Sequence, residues 1–321
     1  MGEDHAEIPK IDDRQDLRMR IGTFQYTAME RVAMRWPPLV AKVIFQAYGY
    51  LTWRLLPNLR DVVASNIARV VGRPAESDLV QAATREAFGL YARYWYDTFR
   101  LRVMPKDEIN ERFKVDGLEN IDDALHAGTG AILALPHLGN WDAAGHFLAV
   151  NDYRLCAVAE RLPNRRVFEL FLRHREDLGM KIVPLDSGTR TGPELVSLLA
   201  DNWLIALVAD RDLTGRGVDV EMFGATRKLP AGPALLSLSS GAPLLACQIY
   251  TTDSGWHCRI GRPLELERTG DMRADVTALT RAVAAEFERA IAAKPTDWHM
   301  FQPAWGDRPG TEARSAIPMP S

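Results

Sequence analysis

His137 and Asp142 close the stretch of chain formed by residues 131–142. A neutral imidazole takes a proton from a hydroxyl near neutral pH. It does so better when a carboxylate fixes its tautomer and stabilises the imidazolium. A tight turn through Gly139 and Asn140 would fold Asp142 back onto His137. No serine or cysteine lies in the stretch, so the expected nucleophile is a hydroxyl of the substrate. That chemistry is acyl transfer to an alcohol without a covalent enzyme intermediate. A metal site is the competing reading, because Asp142 and His146 are four apart on one helix face with His137 close by. No further cluster of His, Cys or Glu completes a ligand set, and no metal is expected.

The elements that must position these groups are legible around them. Residues 131–135 are apolar and are stopped by Pro136, which suits a strand buried on both faces with His137 at its carboxyl end. Ligands of open α/β sheets bind at that end. Trp141 and Asp142 then open a helix that turns Ala143, Ala144, Phe147 and Leu148 inward. From here the pattern alternates. Strands are expected at 131–135, 155–159, 181–185, 204–209, 218–222, 243–250 and 257–261, with helices at 141–150, 164–178, 191–200 and 231–240 between them. An amphipathic helix at 275–293 closes the series. Such alternation implies an α/β fold with a mostly parallel or mixed sheet flanked by helices on both faces. Charges follow two more of these strands, Glu160-Arg161 and Asp210-Arg211-Asp212. Together with His137 they would line a polar crevice on one sheet edge. Glu160 is placed to pair with Arg175 on the next helix. Arg216, Arg227 and Lys228 suit phosphate groups on a substrate.

The chain has 321 residues, enough for one large domain, and its 47% hydrophobic and 25% charged composition is that of a folded globular protein. A net charge of −3 gives no reason to expect nucleic acid. The three cysteines, Cys156, Cys247 and Cys258, are too few and too scattered for a disulfide framework and read as buried apolar side chains in a reducing compartment. Residues 1–16 are polar and acidic, expected to be disordered, with no signal-peptide pattern. Residues 307–321 read as a loose tail. No uncharged apolar run is long enough to span a membrane. In residues 17–50, Arg18, Arg20, Arg31, Arg35 and Lys42 punctuate an apolar and aromatic run divided by Pro37 and Pro38. That pattern suits helices lying in a membrane interface, and equally a core-facing helix pair with solvated arginines. Helices are also expected at 59–72, 77–101 and 121–127, and a strand at 113–117. There is no P-loop, no dinucleotide-binding glycine fingerprint and no G-x-S-x-G.

Several short motifs occur in a consistent order: Pro136-His137-Leu138-Gly139-Asn140-Trp141-Asp142, Ala159-Glu160-Arg161-Leu162, Arg175 to Gly179, Ala209-Asp210-Arg211-Asp212-Leu213, Phe223-Gly224, Leu229 to Pro233, and Asp297-Trp298-His299-Met300 with Trp305. As an ordered set they resemble the lipid A biosynthesis acyltransferase superfamily, and within it the actinobacterial phosphatidylinositol mannoside acyltransferases. The resemblance implies one acyltransferase domain over 17–306, with a fold like that of glycerolipid acyltransferases. It implies acyl-CoA, typically palmitoyl-CoA, as co-substrate, and no cofactor. The implied acceptor is a mannose hydroxyl of a phosphatidylinositol mannoside, with lipid A or another glycolipid or glycerol phosphate as the alternative. The implied place of work is the cytoplasmic face of the plasma membrane, as a peripheral protein on anionic phospholipid. Carried over residue by residue, His137 is the general base and Asp142 its orienting carboxylate. Asp210, where relatives carry Glu, assists at the site. Glu160 and Arg175 shape the groove, Arg216 contacts the donor, and Asn140 and Arg211 complete the substrate-binding set. Backbone N–H groups at 139–141, or Arg175, would receive the developing oxyanion.

Overall fold

Prolines and glycines divide the first hundred residues into helices. In the computed structural model, which describes residues 13–160, 164–185, 191–212 and 215–306, α1 (Asp13–Arg35) ends before Pro37. Helices α2 (Pro38–Leu55) and α3 (Pro57–Val71) both begin on proline, and α3 ends on Gly72 at φ 62°. Proline fits a first turn because those N–H groups have no intrahelical partner to lose. Helix α1 begins at Asp13, within the polar start of the chain. Residues 1–12 and 307–321 lie outside the described residues. Ser77 caps α4 (Asp78–Leu101), its hydroxyl accepting the Val80 N–H. Helix α4 is buried along much of its length; the rings of Tyr91 and Tyr94 stack, both meet Trp95 edge-on, and Trp95 tilts against Phe99. Gly49 of α2 permits close approach to it, since a Cβ there would sit 2.8 Å from the Phe88 carbonyl oxygen. No helix among the described residues is long and apolar enough to cross a membrane.

After α5 (Lys106–Arg112), β1 (Phe113–Asp116) and α6 (Glu119–His126), the alternating half begins. It runs β2 (Ala131–Leu135), α7 (Trp141–Val150), β3 (Leu155–Glu160), α8 (Arg165–Asp177), β4 (Lys181–Leu185), α9 (Thr191–Ala200) and β5 (Leu204–Val208). Then come β6 (Val218–Met222), β7 (Ala225–Leu229), α10 (Gly232–Ser240), β8 (Leu244–Thr251), β9 (Trp256–Pro263) and α11 (Met272–Ala293). Seven strands form one sheet in the order β1-β9-β8-β2-β5-β3-β4. Its pairings are parallel except β8 with β9. Alternate residues of β2 feed two cores: Leu133 and Leu135 join the one under α1–α4, α7 and α8, and Ile132 and Ala134 the one under α9–α11. The architecture is the mixed, mostly parallel α/β sheet between helical layers that the alternation implied.

One expected strand is displaced. Residues 218–222 do not join the sheet but pair with β7 in a separate antiparallel hairpin. The turn between them is Phe223-Gly224, at φ 52° and 69°, the doubly left-handed geometry that favours a two-residue hairpin. Strand β7, Ala-Thr-Arg-Lys-Leu, is polar at alternate positions and carries Arg227 inward.

Candidate active site

Strand register brings the first two groups together. Strands β2 and β5 are parallel neighbours with Leu135 opposite Val208 at their carboxyl ends. Two residues past each lie His137 and Asp210. His137 Nδ1 is 2.5 Å from Asp210 Oδ1, and the His137 backbone N–H donates to Oδ2 at 3.1 Å. The Trp298 indole N–H donates to the same Oδ2 at 2.8 Å. At a position where the longer Glu was the expected residue, the aspartate reaches the imidazole because the two strand ends are adjacent.

Both side chains are buried, Asp210 at 0% and His137 at 3% exposure. Burial opposes charge on Asp210. The His137 ring with its hydrogen bond, the Trp298 N–H and the Arg227 guanidinium outweigh it and hold the carboxyl below the usual carboxylate range. An ionised carboxylate can only accept, so it holds the imidazole proton on Nδ1 and leaves Nε2 as the basic nitrogen. Nε2 has no hydrogen-bond partner within the fold. The turn that presents His137 depends on Gly139 at φ 64°, where a Cβ would lie 2.3 Å from the Ile249 carbonyl oxygen.

Asp142 does not orient His137. Asn140 accepts the Ala143 N–H at 2.9 Å and so caps α7, which places Asp142 in the first turn of the helix. Its carboxylate leaves the turn and meets Arg175 Nε at 2.7 Å and the Tyr94 hydroxyl at 2.7 Å. The expectation of a His137–Asp142 pair is therefore corrected: a buried guanidinium on α8 outcompetes the turn for this carboxylate. Burial opposes ionisation of Asp142 as well, and Arg175 overcomes it, so its pKa is lowered. The same carboxylate helps to push the Tyr94 phenol upward, after burial itself.

The other expected site residues are placed as follows. Glu160, at the end of β3, receives Arg211 at 2.6 Å, a pair joining the ends of two sheet neighbours, while Arg175 reaches Asp142. The Asn140 amide is engaged within the fold, donating to Thr98 Oγ1 at 3.3 Å. Arg216 is exposed on the loop between β5 and β6. His146 Nδ1 meets the Leu178 carbonyl oxygen at 3.0 Å, and no three metal-ligating side chains are grouped among the described residues. Arg227, expected to suit a substrate phosphate, instead turns inward to the Asp210 carbonyl. Two contributors escaped sequence reasoning, Tyr94 within the helix expected at 77–101 and Trp298 as one letter of a motif. Only Trp298 carried a signal, and that signal named no role.

Between the sheet and α7, lined by Trp141 but not by His137, lies an apolar cavity with about 750 Å³ of empty space, counting its open mouth. Leu133, Leu135, Ala157, Ala206 and Cys247 form its sheet side, and Ala144, Gly145 and Leu148 its helix side. Its charged lining consists of Asp142 and Arg175. Small residues line both sides, the register partners Ala157 and Ala206 on the sheet and Ala144 on α7, while Gly145 makes room for Met180, whose sulfur lies 2.3 Å from where a Cβ would stand. Trp141 also lines the cavity, and its ring lies edge-on to the His137 imidazole at 5.3 Å.

A buried imidazole braced by an acid, on the carboxyl edge of an α/β sheet and one aromatic ring away from an apolar cavity, suits a class of proteins that activate a hydroxyl beside a lipid tail. The chain belongs to the bacterial lipid A biosynthesis acyltransferase family, whose model matches residues 9–306. It is similar to the phosphatidylinositol mannoside acyltransferase of Mycolicibacterium smegmatis, at 39% identity over 92% of this chain and 95% of that protein. It is also similar to the phosphatidylinositol mannoside acyltransferase of Mycobacterium tuberculosis, at 40% identity over 75% of each chain.

Proposed function

We propose that this acyltransferase moves a long acyl chain, palmitoyl by preference, from acyl-CoA to a mannose hydroxyl of a phosphatidylinositol mannoside. The observation that carries the reading is the His137 imidazole, fixed by Asp210 at Nδ1 with Nε2 unpartnered. Nε2 takes the acceptor's hydroxyl proton while the oxygen attacks the thioester carbonyl. The tetrahedral intermediate expels the CoA thiolate, which receives that proton from the imidazolium. The ester stays on the sugar and no group remains on the protein. The acyl tail lies in the apolar cavity with its carbonyl end toward Trp141 and Arg175. Each buried methylene contributes about 0.8 kcal/mol there, which favours a long chain. Arg175 and the backbone N–H groups at 139–141 are the candidate donors for the oxyanion. The two relatives' names support the acceptor.

The surface of α1 and α2 supports a membrane setting. Helix α2 buries Ala41, Phe45 and Gly49 against the fold, yet Leu39, Val43, Leu51 and Leu55 on its other sides are exposed. Phe24 and Trp36 are exposed beside them, as are Arg20, Arg31, Arg35, Lys42 and Arg54. Apolar and aromatic groups interleaved with cations suit the interface of an anionic membrane. On this reading the protein works as a peripheral protein on the cytoplasmic face of the plasma membrane.

The test is an acceptor panel with palmitoyl-CoA and purified protein: phosphatidylinositol mannosides, lipid A precursors and glycerol phosphate. Transfer to the mannoside is expected, and its loss in His137→Ala. Transfer that survives in that variant would remove the histidine from the mechanism, and preference for another acceptor would move the protein to a different branch of the family.

A further inference from the structure

The segment that follows α11 folds back across the site and is anchored at both ends. At one end the Asp297 carboxylate accepts the Thr251 N–H at 2.6 Å, and the Asp297 carbonyl accepts the Gly139 N–H at 3.0 Å. Leu138 and Trp298 form an antiparallel bridge, and the His299 N–H donates to the His137 carbonyl at 2.7 Å. At the other end, Asn66 of α3 donates to the carbonyls of Met300 and Gln302 at 2.9 and 2.8 Å and accepts the Ala304 N–H at 3.1 Å. Between these anchors Trp298 is 2% exposed, with its indole N–H on Asp210.

The indole is itself held. The Arg227 guanidinium lies over the rings of Trp298 at 5.7 Å and Trp305 at 5.2 Å, and it donates to the Asp210 carbonyl. Trp305 meets Trp298 edge-on at 6.0 Å. Among the described residues, the charged and titratable groups set around the His137–Asp210 pair include Arg227 on β7, and Asp297 and His299 on the returning segment, with Lys294 paired to Asp297 at 3.3 Å.

We propose that Trp298 is a positioning residue for the transfer reaction, an inference that rests on His137 being its base. Oδ2 of Asp210 is saturated by two N–H donors, the backbone of His137 and the indole of Trp298. Oδ1 is then the oxygen left for the imidazole, and the plane of the carboxylate is fixed. A fixed plane keeps Nδ1–H aimed at Oδ1 and Nε2 aimed at the acceptor. Without the indole donor the carboxylate turns more freely and keeps more of its negative charge, so it holds the imidazolium more strongly.

The experiment compares Trp298→Phe with Trp305→Phe in the full chain, since the Trp305 indole nitrogen has no hydrogen-bond partner. Trp298→Phe is expected to lower kcat about 10- to 100-fold, the range a lost hydrogen bond to an ion spans, with little change in KM for acyl-CoA. The acidic limb of its kcat/KM profile should move to higher pH by about half a unit or more. The downfield proton resonance of the His137 Nδ1–H should shift in Trp298→Phe and stay in place in Trp305→Phe. An unmoved limb and resonance in Trp298→Phe, or equal shifts in both variants, would overturn the proposal while leaving His137 as base. An active His137→Ala protein would instead remove the reading beneath it.

Discussion

Two carboxylates sit a short way apart in this site, and both are almost completely buried, Asp142 at 3% and Asp210 at 0% exposure. Both are ionised against the cost of burial, and both have their pKa lowered by the partner they meet. The partners differ. Arg175 is permanently charged, and its pKa is driven higher still by Asp142, so that pair has one protonation state and acts as a brace between α7 and α8. The His137 imidazole carries two ring nitrogens, Nδ1 held by Asp210 and Nε2 left without a hydrogen-bond partner, which is the arrangement a proton-transferring pair requires. Equal burial and equal ionisation therefore do not mean equal roles; the chemistry of the partner decides which carboxylate can take part in catalysis.

The sharpest way to break this comparison is to neutralise each carboxylate in turn. Asp210→Asn keeps the shape of the pair but favours the wrong imidazole tautomer. Transfer should fall about 10³- to 10⁴-fold, the scale of such a change in a serine-protease triad. A single-turnover assay of acyl transfer from palmitoyl-CoA measures it, and a loss below tenfold would deny Asp210 its place beside the base. Asp142→Asn should act first on the fold. It leaves the Arg175 charge buried without a counter-ion, which costs about 3–5 kcal/mol. Denaturant melts would show this, and the double variant Asp142→Leu with Arg175→Met should recover most of it. If the double variant folds well yet transfers slowly, Arg175 contributes to chemistry as well as to bracing.

The smallest expected effect concerns pH. Both folded-state pKa values lie below the unfolded value of about 3.9. Each carboxylate therefore contributes stability that is fully present above that value and is lost as pH falls through the lowered folded value. Thermal melts should be flat in these contributions between neutral pH and about pH 5, then fall steeply below about pH 4. The double variant, lacking one of the two groups, should fall less steeply. A fall beginning near pH 6 would point to some other group.

The reading of the site divides along a physical line. Strand β2, Pro136 and the glycine turn were legible because a buried strand is a run of apolar residues and its breaker is local. Helices α7 and α9 were legible for the same reason, their apolar periodicity, and for α7 its Asn140 cap, lying within their own segments. The hairpin partner β7 was missed because its alternation is mostly polar. The His137–Asp142 pairing failed because nearness in the chain was taken for nearness in space. Asn140 caps a helix that carries Asp142 round to Arg175.

By itself the sequence determined that this is an α/β protein with a histidine at a strand end, an acid after a later strand, and a family's motifs in order. All of these are properties of short segments, set by backbone preference and hydrophobic pattern. Tertiary structure alone decided that β5 lies beside β2, so that Asp210 rather than Asp142 meets the imidazole, and that Trp298 returns from the far end of the chain to hold it. Strand order and the closing of long loops depend on which surfaces bury one another across the whole domain, and no local pattern of residues records that.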